Sequence, residues 1–269
     1  MANSLYNSYG RINAMTLRYW YLLRGSWPRM LELIYWPTMN MIVWGFINYY
    51  LSTDTYSTYV VAGSLIAAVM LWDVLFRGQL GFTFSFLEEV WSRNVANLMI
   101  SPLHPAEFAI SLMFMSLIRL ILGMLPVSIF AMILFGFNIY HLGFALVLFF
   151  ANLVMTSWAV GLVVSGLILR NGVGAQNFAW SVMMLFLPVV CVYYPVSVLP
   201  LWLQKIAWGL PPTCVFEGMR AALFDNVFRG DLMLRGFLLN IIYIAAGFLA
   251  FMGLLESARR KGSLLNLGE

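Results

Sequence analysis

The segment that decides the fold is Phe178–Asp225, FAWSVMMLFLPVVCVYYPVSVLPLWLQKIAWGLPPTCVFEGMRAALFD. It begins as an apolar run suited to a bilayer and is then interrupted by Pro188, Pro195, Pro200, Pro211 and Pro212. Proline removes a helical hydrogen bond and restricts the residue before it, so no continuous helix can pass through. Non-helical backbone at membrane depth must be covered by protein or line a water-filled cavity. We therefore predict a span over 175–194, followed by re-entrant short helices over 195–225.

The last of these short helices carries polar residues at informative positions. Thr213 follows two prolines, so it is predicted to cap the helix. Glu217 and Arg220 are three residues apart and share one face of it. A structural ion pair is the simplest interpretation of these two residues.

The composition predicts an integral membrane protein. Hydrophobic residues make up 62% of the 269 residues and charged residues 10%, and the mean hydropathy is +0.85, which leaves too few polar groups to cover a soluble protein. The 15 basic residues exceed the 11 acidic ones. Because they are scattered and flank apolar runs, they indicate membrane orientation and not nucleic-acid binding. We expect no signal peptide, and we expect Cys191 and Cys214 to be free thiols.

The other apolar runs complete an all-α architecture with six transmembrane helices in one domain, 1–269. The additional spans are predicted over 30–51, 59–76, 108–135, 142–169 and 234–255. Residues 6–27 mix aromatic side chains with Arg11, Arg18 and Arg24, which is typical of a helix lying in the membrane interface. Most basic residues fall on the side that carries both termini, so we expect the N- and C-termini in the cytoplasm.

The connection between the second and third predicted spans has a strong helix pattern. Ser85 and Glu88 have capping-box spacing and Pro102 ends the run, so a helix is predicted over 86–100. Its apolar residues share one stripe. The opposite face consists of Glu88, Glu89, Ser92, Arg93 and Asn97. Such a helix can pack on neighbouring spans without a partner, or it can present its polar face to a soluble protein.

No nucleotide-binding loop occurs in the sequence. The phosphate-cradling pattern G-x-x-x-x-G-K-[ST] needs a lysine in a glycine-rich turn, and the only two lysines, Lys205 and Lys261, lack those neighbours. If ATP hydrolysis drives this protein, it therefore takes place on another chain. We expect no cofactor and no metal on this one.

A single arginine, Arg119, lies well inside the third predicted span, where a charge is costly unless it is paired or hydrated. One interpretation places it on a polar pathway, where it meets an anionic head group of a substrate. The other pairs it with Asp73 or Glu32, or leaves it near the interface through helix tilt.

The order of these features resembles that of type-2 ABC transporter permeases, over nearly the whole chain. The resemblance rests on Tyr194–Pro200 and Leu210–Arg220 and on the cytoplasmic segment Phe86–Glu107. It implies that the helix over 86–100 is a coupling helix, that Glu217 and Arg220 lie at an outer gate, and that Arg119 is a candidate pathway residue. Cys214 departs from the family pattern, which often has an aromatic residue or a histidine after the proline pair.

The resemblance also implies partners and a location. Permeases of this size form a homodimer, are surrounded by membrane lipid, and bind two ATP-binding cassette ATPase subunits that hold ATP and Mg. The implied function is export across a bacterial inner membrane of a lipid-linked polysaccharide, an amphipathic drug or a lipid. The sequence does not choose among these cargoes.

Two other classes of function remain open at this stage. An ion-coupled carrier or a channel would use Glu32, Asp73 and Arg119 as its polar lining, although spans three to five contain no acidic residue. A membrane-embedded transferase would need a catalytic acid or histidine at the interface, but His104 and His141 are predicted on opposite sides of the membrane. No catalytic residue is assigned.

Overall fold

Ten α-helices and short 3-10 turns account for most of the computed structural model, which describes residues 2–53 and 63–261. The helices are α1 Ala2–Arg24, α2 Trp27–Thr53, α3 Ser64–Trp91, α4 Val95–Ile100, α5 Pro105–Phe135, α6 Phe144–Asn171, α7 Phe178–Val189, α8 Leu201–Ala207, α9 Pro211–Phe224 and α10 Gly230–Lys261. No β-strand occurs within those residues. The all-α class that the sequence predicts is therefore confirmed.

Four helices, α3, α5, α6 and α10, are long and apolar enough to cross a membrane. The predicted first span corresponds to α2, which has 27 residues but is not among these four. The predicted fifth span, 175–194, corresponds to a 3-10 turn, Val173–Asn177, that leads without a break into α7, a helix of 12 residues. The whole segment Val173–Val189 is apolar but shorter than the four helices above. A fifth crossing of the membrane therefore stays a prediction.

The long helices run between two ends of the bundle. The terminal end holds the α1–α2 junction, α4, the α6–α7 connection and the last turn of α10. The loop end holds the end of α2, the start of α3, the α5–α6 connection and the segment from α7 to α9. The re-entrant region predicted over 195–225 consists of a 3-10 turn, α8 and α9 at the loop end.

Helix α3 lies at the centre of the bundle and packs against α2, α5 and α6, with further contacts to α7 and α9. Between Ile66 and Val90 every residue is buried except Arg77, Phe84 and Glu88. These three are seven and four residues apart and therefore lie along one line of the helix. We call this line the α3 stripe.

The continuity of α3 corrects two boundaries. The second span, predicted over 59–76, does not end at Phe76, because the helix continues unbroken to Trp91; residues 59–62 lie outside the described residues. The separate helix predicted over 86–100 is therefore wrong. Ser85 is not its N-cap, since the Ser85 hydroxyl donates to the carbonyl of Gly81 at 2.8 Å inside α3. The chain turns after Trp91, and α4 then runs from Val95 to Ile100.

The residues predicted as an interfacial helix, 6–27, largely belong to α1, which packs against α5. Its location in the membrane interface stays a prediction. The third, fourth and sixth predicted spans match α5, α6 and α10, with ends that differ by several residues. Pro126 lies inside α5.

Helices α6 and α10 form the most extensive helix pair in the bundle. The Asn240 amide donates to the carbonyl of Asn152 at 2.9 Å, and the Thr156 hydroxyl donates to the Asn240 side-chain oxygen at 2.7 Å. At Gly247 a Cβ atom would lie 2.7 Å from the backbone oxygen of Ala159. Small residues and interhelical hydrogen bonds thus hold this pair together.

The contact at Gly247 predicts a stability difference between two glycines of α10. Gly247→Ala should lower the free energy of unfolding by about 1–3 kcal/mol, because the added methyl forces the helices apart. Gly253→Ala is the matched control, since a Cβ there meets no atom within 4 Å and alanine is the better helix former. Thermal unfolding of the purified variants tests this. A melting temperature for Gly247→Ala at or above that of Gly253→Ala would contradict it.

Candidate functional site

Ion pairs at the terminal end attach the first two helices to the ends of α3 and α5. Arg11 donates from Nε to Glu107 at 2.8 Å, and this bond raises the pKa of the Arg11 guanidinium. Arg18 Nη1 lies 2.9 Å from Glu89 Oε1. Arg29 Nη1 lies 3.2 Å from Glu88 Oε1. The N-terminal helix is thereby fixed to the bundle.

The structure divides the residues predicted to contact an ATPase into two groups. The Glu88 side chain is 9% exposed and that of Glu89 is fully buried, so neither presents a surface. Ser92, Arg93 and Asn97 are exposed. The predicted polar face is wrong for the two glutamates because they belong to α3, whose end is enclosed by α1, α2 and α5.

Arg119 is paired with Glu88, a partner that the sequence did not suggest. Its Nη2 donates to Glu88 Oε1 at 2.9 Å, and the Arg119 side chain is 7% exposed. The expected pairing with Asp73 or Glu32 is therefore wrong. Glu88 accepts from Arg29 as well, so one carboxylate joins α2, α3 and α5.

The pair Glu217 and Arg220 fixes the broken segment at the loop end. Arg220 Nη2 donates to Glu217 Oε1 at 2.9 Å, and the same oxygen accepts from the backbone N–H of Val196 at 2.8 Å. Arg220 also donates from Nη1 to the carbonyl of Val192 at 3.4 Å. Thr213 does not cap α9: Leu210 precedes the helix and the Thr213 hydroxyl is buried without a partner. We call the contacts of Glu217 and Arg220 with Val192 and Val196 the loop-end clamp.

The two cysteines are free and buried, as the sequence suggested. Cys191 is the second residue after α7 and has a positive φ of 58°, which a non-glycine residue seldom adopts. Burial raises the pKa of the Cys191 thiol to about 11, and the Arg220 charge opposes this shift. At neutral pH the thiol is therefore protonated, and the protonated form is unreactive.

A second charged group lies midway along α3. Asn40 donates to both oxygens of Asp73 at 3.4 and 3.5 Å, and Arg77 Nε lies 3.9 Å from Asp73 Oδ1. The Asp73 side chain is buried, and Arg77 lies on the α3 stripe. A second span over 59–76, as predicted, would end just before Arg77. Its position inside a long buried helix shows only in the structure.

The alternative sites are not assembled in the described part of the chain. Asp73 pairs with Arg77, Arg119 pairs with Glu88, and Glu32 is exposed, so the three candidate carrier residues do not form one cluster. His104 precedes α5 at the terminal end and His141 lies in the α5–α6 connection at the loop end. Among residues 2–53 and 63–261 no group of three His, Cys, Asp or Glu could hold a metal ion.

The pairing of Glu88 with Arg119 predicts that replacing the Glu88 carboxylate strongly lowers the stability of the protein. Glu88→Gln leaves the buried Arg119 guanidinium without a carboxylate, which typically costs about 3 kcal/mol of stability or more. Glu256→Gln is the matched control, because Glu256 forms an exposed pair with Arg260 and such pairs contribute about 0–1 kcal/mol. Thermal unfolding of both proteins checks this. Equal melting temperatures would show that the Glu88 pair is unimportant.

The loop-end clamp predicts the reactivity of Cys191. In a Cys214→Ser background, maleimide should modify Cys191 slowly at pH 7, and the rate should rise about tenfold per pH unit up to the pKa, because only the thiolate reacts. Glu217→Ala removes the acceptor for Val196 and should speed modification about tenfold by exposing the thiol. Glu256→Ala should leave the rate unchanged. A rate for Glu217→Ala equal to that of the parent protein argues against the clamp.

Comparisons with known proteins agree with this architecture. The family model for the ABC-2 type transporter matches residues 13–224, from α1 to the end of α9. A comparison with individual curated proteins gives no match. The matched range covers the exposed connection after α3, the pairs of Glu88 and Glu89, and the loop-end clamp. The chain therefore belongs to the ABC-2 type transporter family, and it is a multi-pass membrane permease.

Proposed function

We propose that this protein is the permease subunit of an ATP-driven exporter and that a separate ATP-binding cassette ATPase binds its terminal end. The observation that carries the proposal is the segment that follows α3 and includes α4, residues 92–101, which we call the α3–α4 corner. The corner is exposed on its outer side, while its base is fixed in the bundle interior. A surface of this kind suits a partner that delivers force.

The outer side of the corner offers a mixed polar and apolar surface. Arg93 and Asn97 are exposed, and Ile100 is 85% exposed. Arg93 has a positive φ of 53°, which bends the chain away from the axis of α3. An exposed aliphatic side chain between polar groups is a favourable anchor for a protein interface. We assign these three residues, with Ser92, to the ATPase contact.

The inner side of the corner connects it to the rest of the bundle. Asn94 donates from Nδ2 to Glu89 Oε2 at 2.7 Å. Glu89 in turn pairs with Arg18 of α1, and the adjacent Glu88 pairs with Arg29 and Arg119. A displacement of the corner would therefore act on α1, α2, α3 and α5 together. Glu88 and Glu89 take part in coupling through these buried pairs and do not touch the ATPase.

The remaining parts of the proposal extend what the resemblance to type-2 ABC permeases implies. Two copies of the chain form a homodimer around a central pathway, surrounded by lipid, and alternating access is driven when ATP and Mg close the ATPases. Glu217 and Arg220 act at the outer gate through the loop-end clamp. Both termini lie in the cytoplasm of a bacterium, and the cargo is a lipid-linked or polysaccharide molecule, an amphipathic drug or a lipid.

Substitutions on the corner test the ATPase contact. The tagged permease is co-expressed with its ATPase subunit, and the amount of ATPase captured per permease is measured. The double variant Arg93→Glu, Ile100→Asp should lower capture at least tenfold, because an interface anchor is typically worth about 2 kcal/mol or more. ATP-dependent transport in vesicles should fall in parallel.

The matched control for this experiment is Arg170→Glu, a charge reversal at an exposed residue of the same end. It should leave capture within about twofold of the parent protein. Unchanged capture by the corner variant would defeat the assignment of the contact. An equal loss of ATPase capture in both variants would show that capture depends on the overall charge of the terminal end and not on the corner.

A further inference from the structure

Arg77 lies near the middle of α3, far from the ion pairs at either end. The helix begins at Ser64 and ends at Trp91, so Arg77 is about 20 Å from each end at about 1.5 Å per residue. α3 is one of the four helices able to cross a membrane. In the middle of a membrane-spanning helix, an arginine side chain is costly unless it is paired or hydrated.

The hydrogen-bonding capacity of Arg77 is largely unused. Its one ion-pair contact, Nε to Asp73 Oδ1 at 3.9 Å, is too long for a hydrogen bond. A guanidinium has five N–H donors. Within residues 2–53 and 63–261 no Arg77 side-chain hydrogen bond is formed, and Nε is buried without an acceptor. A buried group of this kind needs further acceptors, and water or a bound molecule can supply them.

Arg77 is also accessible from outside the bundle. Its side chain is 18% exposed, whereas the preceding Asp73 side chain is 3% exposed. Arg77 shares the α3 stripe with Phe84 and Glu88, the only residues between Ile66 and Val90 that are not buried. A molecule moving along this side of the protein would meet Arg77 but could not reach the Asp73 carboxylate.

Aromatic rings lie on either side of the α3 stripe. On the α7 side, Trp180 lies 6.4 Å from Phe84 between ring centroids and is 47% exposed. On the α2 side, Trp44 stacks on Tyr193 at 4.4 Å, toward the loop end. At the terminal end of the stripe the Arg29–Glu88 pair lies across it. Aromatic faces beside a guanidinium can hold the ring or the chain to which a charged group is attached.

We propose that Arg77 binds an anionic oxygen group, a phosphate or a carboxylate, of the transported molecule as it passes between α2 and α7. This inference rests on the proposed transport function. A guanidinium fork matches the two oxygens of such groups. Asp73 accepts hydrogen bonds from Asn40 and stays buried beside Nε, so it orients the arginine without covering the exposed side of the guanidinium.

The surrounding charges limit how tightly the group is held. Asp73 and Glu32 both interact electrostatically with Arg77, so they reduce the positive potential that an incoming anion meets. A transport site needs binding that is favourable enough for entry and weak enough for release. A partly compensated arginine meets both requirements better than an isolated one.

Soluble probes with and without an anionic group test the site directly. The purified permease, without any ATPase, is placed in phosphatidylcholine nanodiscs and binding is followed by saturation-transfer NMR. The probes are glucose 1-phosphate, glucuronate and neutral glucose. At least one anionic probe should give a signal about fivefold or more above that of glucose. In a second experiment the discs contain phosphatidic acid. If the signal of the anionic probe is lost in these discs, the site is assigned to a lipid phosphate. If the signal is retained, the site is assigned to a soluble anionic group.

Variants of Arg77 separate a binding role from a structural one. Arg77→Gln should abolish the preference for the anionic probe. Arg77→Lys, which keeps the charge but loses the planar fork, should reduce the preference several-fold. Arg235→Gln is the control, since Arg235 lies over Trp208 at the loop end, and it should bind like the parent protein. Equal elution and melting temperatures confirm that the variants are folded.

Each outcome decides the inference. Equal signals for glucose and both anionic probes in the parent protein would overturn it, and so would an anion preference that survives Arg77→Gln. If Arg77→Gln does not fold, the result for Arg77→Lys tests the inference instead. An undiminished preference of Arg77→Lys for the anionic probe excludes recognition by the guanidinium fork. Since no ATPase is present in the assay, the absence of an anion preference in the parent protein, together with normal ATPase capture, rejects only this inference and leaves the proposed function intact.

Discussion

The burial of α3 is the constraint on which the rest of the structure depends. A helix enclosed on nearly every side brings Asp73, Glu88 and Glu89 into the interior, where unpaired carboxylates are strongly unfavourable. Neighbouring helices must therefore supply partners: Arg18 from α1, Arg29 from α2 and Arg119 from α5. The position of α1 follows from this requirement, because an N-terminal helix held by Arg11 and Arg18 cannot move freely from the bundle. The charges near the end of α3 thus determine how the first five helices fit together.

The same arrangement fixes the ends of the bundle and leaves one side of α3 accessible. The pairs at the terminal end fix four helices around the base of the α3–α4 corner, whereas the α3 stripe and the neighbouring α7 remain partly accessible. At the loop end, one carboxylate oxygen of Glu217 holds both Arg220 and the Val196 backbone. A few localised contacts therefore control each end, and the segment between them carries the unused donors of Arg77.

How much of this could be predicted from the sequence depends on how local each signal is. The helical class and the positions of α5, α6 and α10 follow from apolar runs bounded by proline, glycine and basic residues. The Glu217–Arg220 pair is also local, since three residues separate its members on one helix. By contrast, Arg119 and Glu88 are 31 residues apart, and no pattern in one sequence connects them. The helix predicted over 86–100 is wrong because α3 continues to Trp91. The break that follows lies at Arg93, whose positive φ a spacing rule does not detect.

The central claim is that force from a separate ATPase enters at the α3–α4 corner and moves the two permease copies relative to each other. Electron paramagnetic resonance can measure this directly, with one spin label at Arg170→Cys in a protein whose Cys191 and Cys214 are replaced by serine. Arg170 is exposed at the terminal end and lies outside the proposed ATPase contact. The account predicts a label-to-label distance, within the assembly that contains the ATPase, that shifts by several ångströms between the nucleotide-free and the ATP-trapped states. An identical distance in both states, or a sample with no label pair at all, would contradict it.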